Sequence, residues 1–319
     1  MLARPRKAAC RYAVVMHHTP PAKHLLLAVA VVAVWGINFT VIKVALGDFP
    51  PLLFAALRFT FAFFPAVFFL KRPAVPWLTL AAYGVFIGAG QFGILYVAMK
   101  SDISPGMASL VLQTQVFFTI GLSMALAGER VKPYQVVALG LAVAGIAVIA
   151  SNAGGSTTAK GLFLALVAAF SWACGNIVSK RAGSVNMLAF VVWSSVFALP
   201  PLYALTFIFE GWGEVHAGFQ AANWQTWLAL AYQSAGNTMF GYGAWGWLLS
   251  KHPAAAITPM ALLVPVFGMA SAALFLDEPL PGWKLAAAGL IIAGLAMNVV
   301  LPRVLGRRKT VVLAGAEAG

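Results

Sequence analysis

The sequence predicts an all-α integral membrane protein of ten transmembrane helices, arranged as two inverted five-helix repeats. Three observations predict it: composition, a succession of bilayer-length apolar stretches, and residues that recur in register between the halves. The chain of 319 residues is 61% hydrophobic and 9% charged, with a mean hydropathy of +0.88, far from soluble-domain usage. Apolar stretches fall at about 25–46, 52–70, 77–98, 104–127, 134–150, 161–180, 187–209, 225–249, 255–276 and 283–301. Five spans per copy return the chain to the opposite face, so the second copy is upside down relative to the first. Inverted repeats of this kind build secondary transporters around one central site.

In chain order, residues 1–23 read as a basic cytoplasmic tail without structure, in which Met16 is an alternative start. The apolar run from Leu25 is too long for a cleaved signal and lacks a small-residue cleavage site, so span one is a retained anchor. It carries Trp35, Asn38 and Lys43, and span two carries Arg58. A central charge costs roughly 2.5–3.5 kcal/mol on insertion scales, so both cations are expected to lie toward the outer side, snorkelling or pairing with Asp48. Gln91 and Tyr96 lie in span three, and Gln113 and Gln115 near the middle of span four. The two glutamines are about 200° apart on a helix, so at most one faces a common cavity. Residues 24–150 form the first repeat and 151–160 a linker, flexible by its Gly/Ser/Thr composition. The second repeat, 161–302, opens with Trp172, Cys174 and Asn176 in span six; Pro200-Pro201 interrupt span seven. Span eight carries Asn237, Tyr242 and Trp245, with Gly241, Gly243 and Gly246 allowing close approach or bending. Pro259 and Pro265 break span nine and free backbone carbonyls; residues 303–319 form a second cytoplasmic tail.

The repeat rests on matches at one constant offset. Gly140, Leu141, Ala144, Gly145 and Ala147 correspond to Gly289, Leu290, Ala293, Gly294 and Ala296, Phe118 to Phe267, and Glu129 to Glu278. Trp35 and Lys43 in WGINFTVIK are spaced like Trp172 and Lys180 in WACGNIVSK. The assigned topology places each charged pair on opposite sides of the membrane, as inversion requires.

Net charge is +13, with 21 Lys and Arg against 8 Asp and Glu. Its distribution excludes a nucleic-acid partner. Arg4, Arg6, Lys7, Arg11, Lys23, Lys71, Arg72, Arg130, Lys132, Lys180, Arg181, Lys251 and the run Arg303 to Lys309 share one side; Lys100, Lys160 and Lys284 fall on the other. This positive-inside bias places both termini in the cytoplasm and offers contacts to anionic lipid heads of the bilayer. Trp77, Trp212, Trp224, Trp227 and Trp283 sit where an interfacial aromatic belt belongs, whereas Trp35 and Trp172 are too deep for it.

WGINF, PPLLFAALRF, GMASLVLQTQVFFT, FSWACGN and LLVPVFGMASAALFLDE, taken together over residues 25–302, resemble the EamA-type branch of the drug/metabolite transporter superfamily. Within it the resemblance is closest to bacterial exporters of O-acetylserine and cysteine. It implies ten helices in two inverted halves, a central substrate cavity, and export of small metabolites across the inner membrane.

Residues at midmembrane depth are the substrate-binding candidates: Trp35, Asn38, Lys43, Gln91, Tyr96, Gln113, Gln115, Trp172, Asn176, Asn237, Tyr242, Trp245 and Pro259. The alternative for each amide is an interhelical hydrogen bond worth about 1 kcal/mol, and six amides over both halves exceed what such bonding calls for. None of the eight acids falls in the middle of a span, which disfavours cationic-drug efflux and leaves the energy source, including any coupling ion, open. None of the five histidines lies within a span, and no metal-ligand spacing or phosphate-binding loop occurs. Neither an enzyme nor a metal or cofactor is therefore expected. Cys10 and Cys174 fall in different compartments and form no disulfide. Oligomeric state is not legible, although Gly140, Gly145, Gly289 and Gly294 suit close helix contacts. The expectation is an inner-membrane exporter of small polar amino-acid metabolites working by alternating access. A nucleoside, sugar derivative or neutral drug is the alternative cargo, and an intramembrane enzyme or a sensory protein the more distant reading.

Overall fold

The computed structural model describes residues 20–127 and 132–316, and among these every regular element is helical. Ten helical rods follow one another: α1 (Ala22–Asp48), α2 (Pro51–Val67), α3 (Trp77–Ser101), α4 (Pro105–Leu126), α5 (Pro133–Ser151), α6 (Ala159–Arg181), α7 (Met187–Ala221), α8 (224–251), α9 (254–276) and α10 (Gly282–Ala316). Eight are long and apolar enough to cross a bilayer. The other two are α2, apolar but shorter, and α8, diluted by the polar run YQSAGNTMF. Cys10, Met16, His17, His18, Glu129 and Arg130 lie outside the described residues, so the Glu129–Glu278 correspondence rests on sequence alone.

Local chemistry sets where the rods begin. Pro51, Pro105 and Pro133 occupy first-turn positions, where the missing N–H costs nothing. Thr158, Asn186 and Asn223 cap α6, α7 and α8, each accepting a hydrogen bond from a first-turn backbone N–H. Between α5 and α6 the chain makes a tight turn, with Gly154 and Thr157 exchanging backbone hydrogen bonds of 2.7 and 3.2 Å. Within α7 the helix breaks at Gly211, whose φ of 75° favours glycine.

Contacts between helix ends fix the direction of the two halves. Lys43, near the end of α1, reaches the carbonyls of Met99 and Lys100 at the end of α3. Asp102, which follows α3, is bonded by Thr158 at the start of α6. So α1 finishes at the end of the bundle where α6 begins, and the two repeats run in opposite senses. Packing obeys the same exchange. Helix α1 lies against α9 as α6 lies against α4, and α8 packs on α1 and α2 as α3 packs on α6 and α7. Helix α2 packs on α7 and α5 on α10, each pair being its own counterpart. At the α5–α10 seam, a Cβ on Gly145 would sit 2.7 Å from Ile291 Cγ1 and one on Gly294 2.6 Å from the Ala138 carbonyl, so both glycines are needed for that approach. Gly140 and Gly289 face open space.

Irregular helix recurs in equivalent places. Helices α3 and α8 each contain a nine-residue π-helical segment, Val85–Gly93 and Tyr232–Phe240. Helices α4 and α9 each contain a 3₁₀ segment, Leu112–Thr114 and Thr258–Leu263. Such segments leave carbonyls without their usual i+4 partner and are common at functional sites. Prolines at 259 and 265 account for the α9 segment; α3 and α4 reach theirs without proline.

Candidate functional site

These four irregular segments carry four of the thirteen predicted site residues, whereas a fifth, the π-helical Thr206–Glu210 of α7, has no counterpart in α2 and carries none. Gln91 lies in the π segment of α3 and is 3% exposed, and Asn237 lies in that of α8 at 5%. Gln113 sits in the 3₁₀ segment of α4 and Pro259 in that of α9. The local reason is compositional: VFIGAGQFG and YQSAGNTMF are rich in glycine and small polar residues, which weaken regular helix.

Helices α1 and α8 meet through aromatics. Trp35 Nε1 donates to the carbonyl of Asn237, in the π segment of α8, at 3.2 Å. Its ring centroid lies 5.7 Å from that of Tyr242 and 5.2 Å from that of Trp245. Tyr232 donates its hydroxyl to the Val34 carbonyl at 2.7 Å. Beside them Asn38 is buried, and its Oδ1 has no hydrogen-bond partner. Where α4 meets α6, Asn176 Nδ2 donates to Gln115 Oε1 at 2.7 Å and to Thr119 Oγ1 at 3.2 Å. Trp172 packs against the main core from α6, half-buried. Six of the thirteen predicted residues are joined by direct contacts: Trp35, Asn237, Tyr242 and Trp245 come together at the α1–α8 contact, and Gln115 and Asn176 join across α4–α6, whereas Gln91, Gln113 and Pro259 are not brought to either group. Lys43 stands apart, with its ammonium on the Met99 and Lys100 carbonyls at 3.0 and 2.9 Å, where it closes the C-terminal end of α3.

Arg58 departs from the sequence expectation. It neither snorkels nor pairs with Asp48: it is 1% exposed and heads the fully buried side chains by volume. Asp48 instead accepts from Asn223 and Thr226 at the start of α8. Arg58 Nη1 donates to the Tyr96 hydroxyl at 3.0 Å, and that hydroxyl donates to Gln233 Oε1 at 3.1 Å. The guanidinium carbon lies 3.6 Å from the centroid of the Phe92 ring, a cation–π contact worth about 2 kcal/mol when desolvated. Phe54 stacks on Tyr96 and fixes its ring. The reason for the inward turn is packing: α2 is covered by α7 on one side and by the π segments of α3 and α8 on others, so the side chain has no route to water.

Arg58 and Gln233 are the residues that sequence reasoning passed over as site candidates. Their signal was present, since Arg58 stands in a span with no acid near it and Gln233 opens the polar run of α8. Among the described residues this part of the bundle offers amides, hydroxyls, aromatic faces and one guanidinium, without an acid or a histidine, groups suited to binding and orienting a polar solute. Among the described residues no group of three His, Cys, Asp or Glu could hold a metal ion.

Comparison with known proteins follows the same division into halves. Residues 22–151 and 159–300 each match the EamA-like transporter family. A protein of Salmonella typhimurium named "Probable amino-acid metabolite efflux pump" is 43% identical over 279 residues, covering 86% of this chain and 93% of its own length. The Escherichia coli K12 protein of that name is 42% identical over 280 residues, covering 86% and 94%. A solved crystal structure superposes with a TM-score of 0.59 at 18% identity, over 88% of this chain and 98% of that one, which shows the fold alone.

Proposed function

Because this chain belongs to the EamA-like transporter family, we propose that it exports small zwitterionic amino-acid metabolites, of the O-acetylserine and cysteine kind, across a bacterial inner membrane. Ten transmembrane helices cross it, with both termini cytoplasmic, and the cargo is exposed to each side in turn. The observation that supports this reading most is the pairing of irregular helix, α3 with α8 and α4 with α9, in segments that carry Gln91, Gln113, Asn237 and Pro259 from both halves. The relatives named as amino-acid metabolite efflux pumps support the cargo class. Asn38, Gln91, Gln113 and Asn237 bind the polar groups of the cargo, and Trp35, Tyr242 and Trp245 offer ring faces to its ammonium.

The test is transport by purified protein in liposomes loaded with labelled amino acids, nucleosides and sugar derivatives, under imposed proton or sodium gradients. Cysteine and O-acetylserine are expected to leave, and a proton- or sodium-dependent rate would name the coupling ion. Asn38→Ala and Gln113→Ala are each expected to lower the rate about tenfold, as loss of a buried hydrogen bond to a charged group does, with membrane-inserted protein unchanged. Movement of nucleosides or sugars alone would overturn the cargo, and unaltered rates in both variants would overturn the site.

A further inference from the structure

The centre of the bundle holds a positive charge that no acid answers. Arg58 is 1% exposed, and among the described residues no carboxylate forms an ion pair with it. Its contacts are the Tyr96 hydroxyl and the faces of Phe92 and Phe59. Its Nε has no hydrogen-bond partner, and neither does Nε2 of Gln233, the residue at the far end of the Arg58–Tyr96–Gln233 chain. Two buried donors without an acceptor among the described residues, and a guanidinium without a counter-charge there, therefore occupy one connected group. Buried charges and donors are ordinarily paired. An excess of donors around a guanidinium is complementary to a planar anion with several lone pairs, and a guanidinium fork matches a carboxylate.

We propose that Arg58, with Gln233, is the anion site of this protein and takes the α-carboxylate of its cargo. The inference rests on the functional reading above and deepens it. Position supports it: Arg58 lies near the middle of α2, and Gln233 and Asn237 share the π segment of α8. The Asn237 carbonyl receives Trp35, so a carboxylate on Arg58 lies one helical turn along α8 from the aromatic group suited to an ammonium. Lys43 is already engaged with two carbonyls, and Lys284 with Glu278. A carboxylate entering when the halves part would accept from Arg58 Nε and Gln233 Nε2, completing both.

The experiment compares cysteine with its carboxamide and with cysteamine, which keep the amine and thiol but lack the carboxylate. Two readouts on the purified protein are used: liposome transport, and thermal stabilisation in detergent. The wild type is expected to prefer cysteine by about tenfold or more. Arg58→Gln should lose that preference, Arg58→Lys should keep part of it, and Gln233→Glu should abolish it by supplying an internal carboxylate to the guanidinium. Gln233→Glu keeps the shape and serves where Arg58→Gln does not fold. Equal handling of cysteine and its carboxamide by the wild type would overturn the anion site while leaving export of amino-acid derivatives intact. Absence of any transport together with carboxylate-specific stabilisation that Gln233→Glu removes would overturn the exporter reading and keep the anion site.

Discussion

At the end of the bundle where α1 finishes, four carboxylates each hold the N-terminus of a helix from the opposite half, whereas the end where α1 begins has none among the described residues. Asp48 receives Asn223 and Thr226 at the start of α8, and Asp102 receives Thr158 and Lys160 at the start of α6. Glu210 accepts from the N–H groups of Leu52 and Leu53 at the start of α2, at 2.6 and 3.0 Å. Glu278 accepts from Ser104 and from the Gly106 N–H at the start of α4. Helix N-termini carry orphan donors and the positive end of the dipole; Glu210 and Glu278 accept from backbone N–H groups there, whereas Asp48 and Asp102 hold the side chains of the capping segments. At the other end the halves meet through ring nitrogens, His24 Nδ1 with His252 Nε2 at 2.7 Å and Trp193 Nε1 with the Leu70 carbonyl at 2.9 Å, while Lys71, Arg72, Arg181 and Lys251 are exposed. Charge at the first end ties the halves together; at the second it faces outward.

The sharpest way to break the comparison is Lys284→Met. Lys284 Nζ lies 2.9 Å from Glu278 Oε1, and both side chains are almost wholly buried. Removing the lysine leaves a buried carboxylate with hydrogen bonds but no counter-charge, which is expected to cost about 3–5 kcal/mol. A fall in detergent unfolding temperature should follow, and Glu278→Gln added to Lys284→Met should recover much of it. An unchanged unfolding temperature in Lys284→Met would show that the carboxylate ties do not hold this end.

Glu210→Gln is expected to cost less, about 1–2 kcal/mol, because the amide oxygen still accepts one bond from the α2 N-terminus while the charge on the helix dipole is lost. At the opposite end, Lys251→Gln changes an exposed cation and is expected to shift stability by less than about 0.5 kcal/mol. The ratio of the two, measured by denaturation in the same detergent, reads the difference between the ends directly. Equal effects would erase it.

None of the four carboxylate ties was legible in the sequence, although the helices they join were. Spans emerged within a few residues because bilayer-length apolar runs are a local property. Opposed halves emerged because Gly140 and Gly289 recur in register and the Trp35–Lys43 spacing repeats in Trp172–Lys180. Which helix end each acid would cap depends on tertiary placement, so Asp48 was expected near Arg58 and is bonded to α8 instead. Arg58 was expected to snorkel for the same reason, since nothing in PPLLFAALRF reveals that α3, α7 and α8 cover it. Within the site, Asn176 with Gln115 and Trp35 with the α8 aromatics joined residues chosen by depth alone. Helical irregularity at Gln91 and Gln113 escaped notice, because no proline marks it there.

The smallest expected effect is a pH dependence at Asp102. The Lys160 ammonium, at 2.8 Å, and then the Thr158 hydroxyl hold the Asp102 carboxyl below its ordinary value of 3.8. A depressed folded-state pKa means that the folded protein releases this proton more readily than the unfolded chain. The tie therefore contributes fully above about pH 5, weakens as pH falls through about 4, and is lost below the folded value. Lys160 is 69% exposed, so screening keeps the contribution small. Wild-type unfolding temperature should drop more steeply between about pH 5 and pH 3 than that of Asp102→Asn, which has no proton to take up there. Parallel curves would mean that Asp102, alone of the four, is a bystander at the α6 N-terminus, and that three ties close this end of the bundle.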